Sequence, residues 1–127
     1  MTKDGYQSLE VWQKSMALVT AIYAVTKQFA KEELYTLTSQ IRRAAISIPS
    51  NIAEGKSKRS TRDYIRFVLM ARGSVAELET QLFISRNLAY VSEDQIQPLL
   101  EKAGEIGCML NGLISKMEEK SLAANSQ

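Results

Sequence analysis

The stretch QIRRAAISIPSNIAEG, residues 40–55, decides the fold, because it carries a proline where a helix should continue. Ile41, Ala44, Ile48 and Ile52 recur at steps of three and four, the spacing of one helix face. Pro49 does not break that phase, although a proline inside a helix forfeits a hydrogen bond and costs about 3 kcal/mol. Two readings follow. One is a single helix from about Leu34 to Glu54, bent at Pro49, with Ser47, Ser50 and Asn51 beside the freed carbonyls. The other is two short helices meeting at the proline. Gly55 reads as a helix stop, where glycine most readily adopts the left-handed turn.

Working outward, the same spacing recurs three times. The first stripe is Leu9, Trp12, Met16, Val19, Tyr23 and Thr26, with Ser8 as its expected cap. Leu34 and Leu37 extend the second stripe backwards. The third is Tyr64, Val68, Ala71, Val75, Leu78, Leu82 and Ser85, opened by Ser60-x-x-Asp63. The fourth is Ile96, Leu99, Ala103, Ile106, Leu110, Leu113 and Met117, opened by Ser92-x-x-Gln95. Both openings have the form of a capping box. Links of a few residues between long helices force antiparallel neighbours, so the expected fold is an all-α, up-down-up-down four-helix bundle. A chain of 127 residues suits one domain, 1–127, with a core at about 8–119 and frayed polar ends.

Composition removes several chemistries. There is no histidine, which excludes Ser-His-Asp and Cys-His catalysis, histidine-ligated zinc and Glu-x-x-His di-iron sites. Cys108 is the single cysteine and lies in an apolar stretch, so a buried structural thiol is expected. Glu32-Glu33 lacks the further inward carboxylates that a magnesium-dependent hydrolase requires. No enzyme, metal or cofactor is expected. MTKDGYQSLEVW contains no leader-like apolar run, and no segment has the roughly 18 uninterrupted apolar residues of a membrane span. A cytoplasmic protein without a membrane partner is expected.

The net charge of +2 is unevenly spread: zero over residues 1–41, +6 over 42–72 and −4 over 73–127. Arg59, Arg62 and Arg66 share a helix face, with Lys56 and Lys58 in the preceding link and Arg42 and Arg43 about three turns away. This set reads as a strip for RNA or DNA phosphates, or as a solvated face with ion pairs such as Arg66–Asp63 and Arg43–Glu54. Tyr6 and Tyr35 are candidates for base stacking. Arg43, Ser47, Ser50, Asn51 and Glu54 form a polar row that reads as an inter-subunit surface or as the wet side of a helix. Gly73, inside a helix, reads as a point of close approach within the bundle or between protomers. A basic middle and an acidic second half would also suit head-to-tail assembly.

The run at 40–55, with LEVWQKSMALVTAIY (9–23) and SVAELETQL (74–82), resembles the four-helix-bundle family of proteins encoded in intervening sequences of bacterial large-subunit ribosomal RNA genes, some labelled "S23 ribosomal protein". The accessory variability protein of diversity-generating retroelements looks like a relative. The resemblance spans about Tyr6 to Met117 and matches at Arg42, Arg43, Ser47, Pro49, Asn51, Glu54 and Gly55. It implies a homo-oligomer, typically a barrel-like pentamer, and no enzymatic activity. For the retroelement relatives it implies nucleic-acid binding and a reverse transcriptase partner. The family often has proline and glycine where this chain has Ala30 and Thr36, and glycine where it has Ala89, so loop geometry is expected to differ.

Overall fold

A computed structural model describes residues 5–125. Four helices follow in order: α1 (Glu10–Thr26), α2 (Leu37–Lys56), α3 (Thr61–Asn87) and α4 (Glu93–Asn125), with short 3-10 turns at Tyr6–Ser8 and Lys31–Glu33. No strand occurs among the described residues. Helix α1 packs on α2 and α4, α3 packs on α2 and α4, and the backbones of the diagonal pairs stay apart across the shared core. This is a square four-helix bundle. Contacts along α2 and α3 step in opposite senses: Ser47 meets Ser74, while Gly55, two turns on, meets Tyr64 and Phe67. The expected fraying falls partly on residues 1–4 and 126–127, outside the described chain. Beyond Lys120, α4 continues to Asn125.

The proline lies inside one continuous helix, so the two-helix alternative is set aside. Ile41, Ile48 and Ile52 are fully buried, each contributing about 1.5–3 kcal/mol, which together exceeds the proline's cost. Asn51 Nδ2 donates to the Ser47 carbonyl at 2.9 Å, one turn back. The helix begins at Leu37 rather than Leu34. Lys31–Glu33 forms a separate turn, and Leu34 is left 45% exposed.

Three local expectations are corrected. Ser8 does not cap α1; its hydroxyl donates to the Gly5 carbonyl within the preceding turn, and Leu9 holds the cap position. The α1 core stripe is Val11, Ser15, Leu18, Ile22 and Thr26, while Met16 and Tyr23 face outward. Apolar residues lie on both sides of this helix, and the two overlapping stripes have the same period. Gly55 is not a stop but a buried residue within α2, and the left-handed cap belongs to Ala89 (φ 64°) after α3. There the Tyr90 N–H bonds the Ser85 carbonyl and the Ala89 N–H bonds that of Arg86, a Schellman arrangement without its usual glycine.

The remaining caps follow the sequence. Gln95 N–H donates to Ser92 Oγ at 3.2 Å and the Ser92 N–H returns to Gln95 Oε1 at 3.1 Å, a reciprocal box. Asp63 N–H donates to Ser60 Oγ at 3.1 Å. Cys108, expected inside, is exposed on α4.

Candidate nucleic-acid interface

The basic residues are gathered by a glycine. A Cβ at Gly55 would lie 2.8 Å from Phe67 Cβ and 3.1 Å from Tyr64 Cδ1. Only the absence of a side chain lets the end of α2 press this closely on the start of α3. The four-residue link 57–60 then returns the chain, and Ser60 caps α3. Lys56, Lys58, Arg59, Arg62 and Arg66 are thereby held at one end of the α2–α3 hairpin.

Two aromatic rings support three of these cations. The Lys56 amine stands 5.8 Å from the Tyr64 ring centre and the Lys58 amine 5.2 Å from that of Phe67. The Arg66 guanidinium lies 4.8 Å from the Phe67 ring. Such contacts hold cations in place at about 0.5–1 kcal/mol each without neutralising them. Burial raises the Tyr64 hydroxyl above its ordinary pKa, so it stays neutral. The expected Arg66–Asp63 pair is present but long, at 3.9 Å and largely solvated. Arg59 and Arg62 make no ion pair among the described residues. An open hollow of about 600 Å³ lies between Ser60, Arg62, Asp63, Ile65, Arg66 and Leu69. Solvated guanidinia beside such a hollow can meet backbone phosphates without first breaking a strong protein contact.

The two other arginines separate. Arg42 Nε donates to Thr26 Oγ1 at 2.9 Å, and its guanidinium lies 4.5 Å over the Tyr23 ring, tying α2 to α1. Arg43 is exposed on the outer face of α2, thirteen residues or about 20 Å along the helix from Lys56. The Arg43–Glu54 pair does not form among the described residues. Tyr6 packs edge-on against Trp12 at 5.3 Å, whereas Tyr35 is 89% exposed.

The polar row also divides. Ser47 and Asn51 turn toward α3: Ser47 Oγ accepts from Ser74 Oγ and from Asn51 Nδ2, each at 2.9 Å. Pro49 is buried beside α1, while Arg43, Ser50 and Glu54 remain exposed. Gly73 has open space where its Cβ would be, so it provides no close approach within the bundle. Sequence reading overlooked Tyr64 and Phe67 as supports for the cations. Their three-residue step, directly after the Lys-Ser-Lys-Arg link, was the available signal.

Among the described residues no group of three or more acidic or thiol side chains is placed to hold a metal, and no helix is long and apolar enough to cross a membrane.

These features define a class: an all-α bundle with a basic hairpin at one end. The model of the 23S rRNA-intervening sequence protein family matches residues 7–112, and the chain belongs to that family. The fold is also similar to a crystal structure, at 1.70 Å, of a protein of unknown function from the S23 ribosomal protein family of Bacteroides thetaiotaomicron VPI-5482. The two are 25% identical with a TM-score of 0.77, over 82% of this chain and 97% of that one. No curated protein matches the sequence.

Proposed function

We propose that this protein is a non-enzymatic, cytoplasmic homo-oligomer that binds RNA or DNA through its phosphate backbone. The observation that carries this reading is the cluster Lys56, Lys58, Arg59, Arg62 and Arg66 at one end of the α2–α3 hairpin, whose one ion pair among the described residues is the long Arg66–Asp63 contact. Each phosphate contact releases counterions. About five contacts on duplex DNA give a log–log salt slope near −4.5, roughly a 500-fold loss of affinity between 50 and 200 mM salt. Fluorescence anisotropy with labelled duplex DNA and structured RNA tests this. The triple variant Arg59→Glu, Arg62→Glu, Arg66→Glu is expected to lose binding while keeping its helical spectrum. A variant that binds as well as the parent rejects the site.

A second reading rests on the net +6 of residues 42–72 against the net −4 of residues 73–127. In it the protein is an assembly scaffold or accessory subunit, and the charge asymmetry joins protomers head to tail. The resemblance makes a reverse transcriptase a partner to test and five a subunit number to test. Under this reading, high salt loosens the oligomer. An unchanged mass by light scattering at low and high salt counts against it.

A further inference from the structure

Unpaired polar groups gather at the opposite end of α2 from the basic cluster. A pocket of about 220 Å³ lies there, between the end of α1 and the start of α2. Thr26 and Thr38 border it and are 2% and 3% exposed. Thr26 is engaged: its hydroxyl donates to the Ile22 carbonyl at 2.8 Å and accepts from Arg42 Nε at 2.9 Å. Thr38 differs, because its hydroxyl is closed off from solvent and has no hydrogen-bond partner. Valine has nearly the same shape and lacks the hydroxyl whose unpaired burial is costly. Packing alone therefore gives no reason for a threonine at this position.

The polar part of the wall is cationic. Lys27, Lys31 and Arg42 border the pocket, and no carboxylate does. Neither lysine has an ion pair among the described residues. Arg42 reaches Thr26 through Nε, and its two terminal nitrogens make no hydrogen bond among the described residues. The start of α2 adds to this field. Thr36 supplies no side-chain cap, and the N–H groups of Thr38 and Ser39 in the first turn make no hydrogen bond among the described residues. A helix start of this kind carries a partial positive charge. The Glu33 carboxylate, close by in the chain, is occupied by the Thr36 and Tyr90 hydroxyls.

We propose that this pocket binds a small molecule through a terminal phosphate group, either free phosphate or a monoester. Near neutral pH such a group carries a charge of about −1.5 to −2 and three acceptor oxygens. These suit the Arg42 terminal nitrogens and the two lysine amines, and they give the Thr38 hydroxyl the partner it lacks. A carboxylate brings one charge to the same three cations. Phe29 and Leu34 border the pocket as well and suit the carbon portion of a monoester. A volume of 220 Å³ is below the roughly 300–1,000 Å³ of sites for drug-sized ligands, so the ligand is small. Lys56 lies eighteen residues beyond Thr38, about 27 Å along α2, so this site is separate from the basic end and independent of the nucleic-acid reading.

Backbone amide shifts of the isotope-labelled full chain report the two ends separately. Inorganic phosphate and phenyl phosphate are titrated at constant ionic strength, with acetate as the control. Both phosphates are expected to shift the Lys31, Thr38 and Ser39 amides saturably, with a Kd on the order of 1 mM or below, and acetate is not. Tighter binding of phenyl phosphate identifies a monoester as the ligand, and equal binding identifies the free ion. Thr38→Val deletes the hydroxyl while keeping the shape, and is expected to bind about tenfold more weakly. Lys31→Ala, at an exposed position, is a second variant with weakened binding expected, and circular dichroism confirms that both are folded. The Arg59→Glu, Arg62→Glu, Arg66→Glu variant is expected to retain the shifts. The site is wrong if the Thr38 amide responds to neither phosphate, if acetate binds as tightly, if Thr38→Val or Lys31→Ala binds like the parent, or if the triple variant loses the shifts.

Discussion

Two glycine-to-alanine substitutions should move stability in opposite directions, though sequence alone treats both sites as glycines in helices. In a helix interior, alanine is favoured over glycine by about 1 kcal/mol. At Gly73 the added methyl meets nothing within 4 Å, so the full gain is expected. At Gly55 the methyl lands 2.8 Å from Phe67 Cβ, 3.1 Å from Tyr64 Cδ1 and 3.3 Å from the Tyr64 carbonyl oxygen. Two of those atoms belong to the helix backbone or are fixed to it, so α2 and α3 must move apart. Overpacking of this kind costs about 1–3 kcal/mol, which offsets or exceeds the helical gain. The two variants should therefore differ by about 2 kcal/mol, or about 8 °C in melting temperature for a chain of this size. Urea denaturation and thermal melts at one fixed protein concentration measure the difference. Equal stabilities would refute the argument that Gly55 is required for the close contact that gathers the basic residues. A Gly55→Ala variant of parental stability but reduced nucleic-acid affinity would separate the positioning role from the structural one.

Other expectations come from single contacts. Ala89→Gly relieves a left-handed residue and should stabilise the protein by about 0.5–1 kcal/mol, read as a higher urea midpoint. Arg42→Ala removes the hydrogen bond to Thr26 and the stack on Tyr23, and should destabilise by about 1–2 kcal/mol while leaving the salt slope of nucleic-acid binding unchanged. Pro49→Ala should keep the helix content but weaken assembly, because Pro49 borders an apolar hollow with Trp12 and Met16 of α1 and Ile46 of α2; an unchanged mass by light scattering removes that role. The Glu33 carboxylate is held below its usual pKa of 4.5, first by the Thr36 hydroxyl and then by that of Tyr90, which donates at 2.8 Å. A lowered carboxylate pKa contributes stability above 4.5 that is lost as pH falls through the folded value. Between pH 5 and pH 3, Tyr90→Phe should therefore lose less melting temperature than the parent, and parallel losses would show the contact to be inert.

The sequence was most legible where one period dominates. The stripes of α3 and α4 are legible because their buried residues keep one helical phase from end to end and a Ser-led cap marks each start. In α2, Ile41, Ala44, Ile48 and Ile52 kept their phase through Pro49, so the core face was visible even while the helix count stayed open. Helix α1 misled because Val11, Leu18 and Ile22 share the period of Leu9, Trp12, Met16, Val19 and Tyr23. Periodicity cannot say which of two apolar faces turns inward; packing against α2 and α4 decides. Glycines misled for a related reason. Gly55 resembles a cap, but its role depends on how near Phe67 comes, and that distance is a property of two helices together. The basic cluster could be listed residue by residue from the sequence. That Arg42 is engaged by Thr26 and Tyr23 depends on the junction of α1 with α2, which no local pattern records.

The most direct test of the central claim is the salt dependence of binding to duplex DNA and structured RNA, for the parent and for the Arg59/Arg62/Arg66 charge-reversed variant. Steep salt dependence in the parent, near −4.5 on a log–log plot for duplex DNA, with binding lost in the variant, is the predicted result. No binding by the parent at low salt, or equal binding by both proteins, would contradict the assignment of the α2–α3 basic end as a phosphate-binding surface.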